Sequence, residues 1–105
     1  MKNEHLADRV QSITNSLIQE LISLTPESMN VIQFEILSTP DGGADIGLIE
    51  NHPDVKHVAL SDAIYRDVSQ YIPLIRQYIS GWKRSLIEMR ESTEGWKVSV
   101  EFESD

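Results

Sequence analysis

The segment with the most suggestive side chains is residues 38–47, STPDGGADIG, where two glycines stand between two aspartates. It could cradle a phosphate, coordinate a metal ion or reverse the chain. A phosphate loop needs backbone N–H groups at a helix N-terminus, but a strand-like run follows, and Asp41 and Asp45 would repel an anion. Read as a calcium loop, the segment places two glycines and an isoleucine at ligand positions, which fails. The prediction is a hairpin turn, with the glycines supplying positive φ.

The remaining groups of reactive type match no catalytic or metal-binding pattern. His52 and His57 stand five apart with Asp54 between them, but a zinc site needs three or four converging ligands at a recognised spacing. No G-x-S-x-G elbow surrounds any serine. The absence of cysteine excludes disulfides, thiolate metal sites and a cysteine nucleophile. We therefore expect no enzyme, catalytic residue, metal or cofactor; a metal-binding subunit using His52, Asp54 and His57 stays a minor alternative.

The net negative charge comes largely from the first half of the chain. The net charge is −8, and no Lys or Arg occurs between Arg9 and Lys56, whereas residues 61–105 carry six basic and eight acidic side chains. A negative surface disfavours nucleic acid and anionic membranes as partners, because both attract positive charge. Solubility alone would also explain an acidic chain.

The acidic residues predict a surface for a basic protein partner. One predicted hairpin and the connector after it carry five carboxylates, which we expect to lie close together: Glu35, Asp41, Asp45, Glu50 and Asp54. Glu35 and Asp45 alternate with apolar positions and so point away from the core. Tyr65 is the aromatic least firmly placed on an apolar stripe, and tyrosine is frequent at interface hot spots. These six residues form the predicted partner-binding set, with a solvated polar face as the alternative.

The elements that must position these residues follow from hydrophobic periodicity. Apolar residues recur three or four apart over residues 3–24 and again from Ile64 to Trp82, which predicts two helices. Pro73 should kink or divide the second. Alternating runs predict hairpins at residues 30–50 and 82–103, with Trp96, Val98, Val100 and Phe102 facing the core. The order α-β-β-α-β-β predicts an α+β two-layer sandwich, a four-stranded antiparallel sheet with two helices on one face.

Bulk composition fits one ordered domain spanning residues 1–105. Its apolar fraction of 40% and charged fraction of 25% are ordinary for globular proteins. No apolar run has the length of a signal-peptide core or a membrane span, so we expect a cytoplasmic protein.

The order of elements resembles the YezG-like immunity (antitoxin) proteins of bacterial polymorphic and contact-dependent toxin systems. The likeness rests on ITNSLIQELISLTPES leading into VIQFEIL, on SDAIYRDVSQYI, and on the closing GWKVSVEFESD. It implies an immunity role: tight binding of a cognate toxin domain, whose active site would be basic if it acts on nucleic acid. The alternative from another class is a small homodimeric adaptor or structural domain, paired through a sheet edge or the outer sheet face.

Overall fold

The computed structural model describes residues 2–105 as two helices packed on a four-stranded sheet. In chain order the elements are α1 (Lys2–Leu24), β1 (Val31–Ser38), β2 (Ala44–Leu48), a 3₁₀ helix (Pro53–His57), α2 (Asp62–Tyr78), β3 (Trp82–Ser92) and β4 (Gly95–Ser104). All strand pairs are antiparallel, in the order β2-β1-β3-β4. The predicted fold class and element order are confirmed. No helix of the described part of the chain has the length and apolar composition needed to cross a membrane.

The core lies between the helices and the two central strands. Because side chains alternate along a strand, one face of β1 and β3 is buried against the helices and the other is free. The inward residues of both strands are fully buried: Ile32, Phe34 and Ile36 from β1, and Ser85, Ile87 and Met89 from β3. From the helices, Leu17, Leu21, Ile64 and Ile75 complete this layer. The opposite face of the sheet is thereby left without a helix.

Helix α2 is continuous through Pro73, so of the two outcomes predicted there, a kink or a division, the division is wrong. It begins at the N-cap Ser61, whose side-chain oxygen accepts a hydrogen bond from the Ile64 N–H at 3.3 Å. Pro73 removes the bond to the carbonyl of Ser69, but both residues are exposed and water can bind that carbonyl. The helix ends at Tyr78 rather than continuing towards Trp82, which instead begins β3.

Strand β4 has the predicted alternation but not the predicted burial. Trp96, Val98, Val100 and Phe102 do lie on the helix side of the sheet, since they pair with inward or helix-side positions of β3. None of them is buried, and Val98 and Phe102 are 43% and 42% exposed. The helices cover the central strands and leave this edge strand uncovered. Alternation identifies the face of a residue, whereas burial depends on what packs on that face.

A small buried polar cluster joins α2 to β3. The Ser85 hydroxyl lies 2.7 Å from the Tyr71 hydroxyl and accepts a hydrogen bond from the Trp82 indole N–H at 2.9 Å. The Tyr71 and Trp82 rings meet edge to face, with centroids 6.4 Å apart. Within the described residues, no buried side-chain nitrogen or oxygen lacks a partner. Burial of the phenol raises the pKa of Tyr71 to about 12.

This pKa predicts a loss of stability in strong alkali. In the unfolded chain the phenol ionises near its model value of 10.0, whereas the folded state holds the proton until about pH 12. The contribution is present below pH 10 and is lost as pH rises towards 12, by about 2–3 kcal/mol. Chemical denaturation of wild type and Tyr71→Phe between these pH values should show the steeper fall for wild type. Parallel pH profiles would contradict the prediction.

Candidate protein-binding face

The glycine-rich segment that could have been a ligand loop is a structural turn between β1 and β2. Gly42 has φ of +90°, which favours glycine, and its N–H donates to the Thr39 carbonyl at 3.1 Å. The Asp41 carboxylate accepts hydrogen bonds from the Thr39 hydroxyl and from the Gly43 N–H. These two bonds, the hydroxyl first, lower the pKa of Asp41. The predicted hairpin turn is confirmed, and Asp41 is occupied in holding it.

Helix α2 fixes this turn through Arg76. The guanidinium donates to the Gly42 and Gly43 carbonyls at 2.7 and 3.1 Å and to the Ser38 hydroxyl at 3.3 Å. It also lies 6.0 Å from the centroid of the Trp82 ring, within cation–π range. Arg76 therefore satisfies two backbone carbonyls of the turn and links α2 to the β1–β2 hairpin.

The free outer face of the sheet carries carboxylates of three strands at one end, with Asp45 on one edge and Glu101 and Glu103 about 14 Å away on the other. One row across the sheet contains Asp45, Leu37, Arg84 and Glu103, and the next contains Gly47, Glu35, Leu86 and Glu101. The resulting patch, called here the acidic end, has four carboxylates around one guanidinium: Glu35, Asp45, Glu101 and Glu103 around Arg84. Nearby, Lys83 and Asp105 neutralise each other in an ion pair of 2.5 Å. The acidic end keeps a net negative charge.

Arg84 engages two of the four carboxylates unequally. Its Nε lies 2.5 Å from Glu35 Oε2, with both side chains largely shielded from solvent, and its Nη1 lies 3.6 Å from Glu103. The Glu35 carboxylate is thus largely used in an ion pair within the protein. Asp45 and Glu101 are exposed and have no ion pair in the described part of the chain. They are the carboxylates with most freedom to meet a partner.

The predicted site residues therefore divide between the two ends of the sheet. Glu35, Asp41 and Asp45 lie at or near the β1–β2 turn. Glu50 follows the far end of β2, and at about 3.3 Å per residue it lies roughly 15 Å from Asp45. Asp54 is also at that far end, in the 3₁₀ helix, where it accepts a hydrogen bond of 2.5 Å from the Ser28 hydroxyl. The five carboxylates do not form one cluster.

Tyr65 is exposed as expected, but it lies in the other layer. It is 54% exposed and belongs to the first turn of α2. Since the helices pack on the inner face of the sheet, Tyr65 cannot share a flat contact surface with the acidic end.

The far end of the outer face carries a polar network with a basic margin. Gln33 donates to Glu88 at 2.7 Å and accepts from Asn51 at 3.1 Å, and Arg90 donates to Glu88 at 2.7 Å. The bonds from Arg90 and Gln33 lower the pKa of Glu88. Arg90 pairs across strands with Lys97. The outer face is consequently acidic at one end and more basic at the other.

The histidine connector offers no catalytic arrangement. His52 Nδ1 accepts a hydrogen bond from the Asp54 N–H at 3.1 Å, capping the 3₁₀ helix. The Ser28 hydroxyl donates to Asp54 and not to a histidine, so the Ser–His contact of a catalytic triad is not formed at Ser28. Among residues whose placement is described, no three His, Cys, Asp or Glu side chains converge as a metal site would require.

Comparison with known sequences does not place the chain in a family. No protein-family model and no curated protein sequence matches the chain. The resemblance to YezG-like immunity proteins therefore stays a prediction.

Two residues of the acidic end, Glu101 and Glu103, were not among the predicted site residues. Their alternation with Val100 and Phe102 correctly indicated that they face solvent. Their place in the same rows as Glu35 and Arg84 depends on β3 inserting between β1 and β4, which places a C-terminal strand two positions from β1. The negative charge of the outer face thus comes from both halves of the chain.

Proposed function

We propose that this protein is an immunity protein that binds a toxin domain with a basic active site and blocks it with the acidic end of its sheet. The observation that carries the proposal is the helix-free outer face, where carboxylates from three strands lie in two adjacent rows with Arg84 at one end of the sheet. A role in contact-dependent growth inhibition follows from the sequence resemblance and is part of the same proposal.

The composition of the patch supports protein binding. Leu37 is 37% exposed and lies between Asp45 and Arg84, and Leu86 lies between Glu35 and Glu101. Aliphatic side chains surrounded by charged ones are typical of protein interfaces, where apolar contact excludes water and the charged margin orients the partner. A rigid sheet also holds these groups in place before binding, which reduces the ordering cost.

The carboxylates suit the chemistry of the proposed partner. An enzyme that acts on nucleic acid holds phosphates with Lys and Arg, so its active site is basic. Asp45 and Glu101 could occupy such a site as phosphate substitutes. Complementary charge would also accelerate association, towards roughly 10⁸ M⁻¹s⁻¹ at low salt.

The test is calorimetric titration of this protein with the C-terminal domain of the large protein encoded immediately upstream, at two salt concentrations. We expect nanomolar affinity that weakens about tenfold or more as salt rises, because exposed charges are screened. Tight binding without salt dependence would retain the immunity role but place the contact on apolar surface. An absence of binding, or of such a neighbour, would count against the role itself.

The alternative, a homodimeric adaptor, is favoured by a separate observation. Strand β4 forms a long free edge beside an open apolar groove on the helix side of the sheet, whereas the acidic end lies on the outer face.

A further inference from the structure

The two edges of the sheet differ in length and in covering. β2 contributes five residues to one edge, whereas β4 contributes ten to the other. No residue of β4 is buried. A long edge strand presents a row of backbone N–H and C=O groups that can pair with another strand. β4 has no buried charge, proline or covering helix that would block such pairing.

An apolar groove runs between β4 and α1. Its volume is about 660 Å³, and it is lined on one side by β4 and on the other by α1 and the end of α2. Val98, Phe102 and Tyr78 are the large side chains that it exposes, at 43%, 42% and 43%. Its polar lining consists of uncharged side chains such as Gln11 and Asn15. In a chain of net charge −8, an uncharged groove does not suit a strongly basic partner.

The outer face of β4 is complementary in charge to itself. Along the strand, outward positions carry Lys97, Ser99, Glu101 and Glu103, with the positive group at one end and the negative groups at the other. A second copy running antiparallel, with Val100 opposite Val100, places Lys97 opposite Glu103 of the second copy and diagonal to its Glu101. Ser99 then faces Glu101. A slide of two residues towards the C-terminus would instead oppose Glu101 to itself.

The same register matches the inner face. Val98 of each copy lies opposite Phe102 of the other, with Val100 meeting itself at the two-fold axis. Cross-strand apolar pairs and opposite-charge pairs each stabilise an antiparallel sheet. Since a two-fold axis repeats every pair, each dimer would contain two Lys97–Glu103 contacts and two Val98–Phe102 contacts.

We propose that β4 is a self-association edge: two copies pair antiparallel about Val100, forming a continuous eight-stranded sheet in which the two grooves face each other and are closed. This interface does not rest on the immunity role; it takes Glu101 and Glu103 of the acidic end into the dimer contact and leaves Asp45 and Leu37 accessible.

Sedimentation equilibrium of the full chain, over a concentration series, tests the proposal through the dimer dissociation constant. The mass should rise with concentration from 11.9 kDa towards twice that value. Lys97→Glu and Glu103→Lys should each weaken the dimer about tenfold or more, because two like-charge contacts replace two ion pairs. Glu103 also lies 3.6 Å from Arg84 of its own chain, so the thermal stability of Glu103→Lys is compared with that of Lys97→Glu. The double variant Lys97→Glu/Glu103→Lys again places opposite charges at positions 97 and 103, with the two charges exchanged. Its dimer dissociation constant should return close to the wild-type value.

A second variant tests the apolar contact. Phe102→Lys should be monomeric, whereas the control Tyr65→Lys, at an exposed aromatic in the first turn of α2 that does not line the groove, should dimerise as wild type does. Circular dichroism and thermal unfolding confirm that each variant is folded. A wild type that remains monomeric at every concentration would overturn the proposal and leave the groove to a different polypeptide. A double variant no stronger than the single ones would overturn the register.

Discussion

Ser85→Ala should lower the free energy of unfolding by about 2–5 kcal/mol, a large fraction of the stability of a domain this size. Ser85 is fully buried, and its hydroxyl is the hydrogen-bond partner of both the Tyr71 hydroxyl and the Trp82 indole N–H. Alanine removes little volume but leaves two buried polar groups without a partner, and each such group costs about 1–3 kcal/mol. Thermal unfolding should shift downwards by roughly 10–20 °C.

Three further variants show whether the loss of stability comes from the two hydrogen bonds of Ser85 or from the removal of any serine hydroxyl. Ser99→Ala, in exposed strand β4, should change stability by no more than about 0.5 kcal/mol. Tyr71→Phe should cost less than Ser85→Ala, because the bond between Ser85 and Trp82 survives. The double variant Tyr71→Phe/Ser85→Ala should be less destabilised than the sum of the two single changes. A loss below about 1 kcal/mol for Ser85→Ala would show that water or another group replaces the hydroxyl.

The sequence predicted the helices, strands and turns well, because each is determined by the pattern of neighbouring residues. The seven- and four-residue spacing of Val10, Leu17 and Leu21 indicates the buried face of α1, and the alternation of Ile32, Phe34 and Ile36 indicates that of β1. The turn at residues 39–43 follows from Asp-Gly chemistry. Each of these features involves residues within a few positions of one another, so the sequence alone carries the information.

Features that depend on distant packing were harder to predict. Trp82 continues the apolar spacing of α2, yet it begins β3, because the helix ends at Tyr78 and Gly81 turns the chain with φ of +72°. Its indole N–H then reaches Ser85. The exposure of Phe102 could not be read from alternation either, since it depends on how far α1 extends over the sheet.

In the candidate site, too, some features follow from local sequence pattern and others depend on the packing of distant residues. The outward direction of Glu35 and Asp45 follows from period-two alternation. That Glu35 is held by Arg84, while Glu101 approaches from the other side, depends on the strand order β2-β1-β3-β4, which no local pattern encodes. Glu50 and Asp54 are near Asp45 in sequence but lie beyond the opposite end of β2. Sequence proximity was therefore a poor guide to spatial proximity in an extended strand.

This geometry determines which charge reversal should most weaken toxin binding. We expect Asp45→Lys/Glu101→Lys to raise the dissociation constant for the proposed toxin domain about 100-fold, or about 2.7 kcal/mol. Both carboxylates are exposed and unpaired in the described part of the chain, so their replacement disturbs no internal contact. Glu35 is a poorer choice, because a lysine there would stand against Arg84 and destabilise the sheet. Most of the effect should appear in the association rate at low salt.

The matched control is Glu27→Lys/Glu94→Lys, which makes the same charge change at exposed positions near the opposite end of the sheet. If only overall charge attracts the toxin, both double variants should slow association equally, since steering would depend on net charge alone. If the acidic end is the contact, Asp45→Lys/Glu101→Lys should still bind the toxin more weakly than the control variant at high salt. Salt screens long-range attraction but not close repulsion within an interface. Surface plasmon resonance at two salt concentrations distinguishes the two cases, and equal behaviour of the variants in both buffers would refute the assignment of the acidic end.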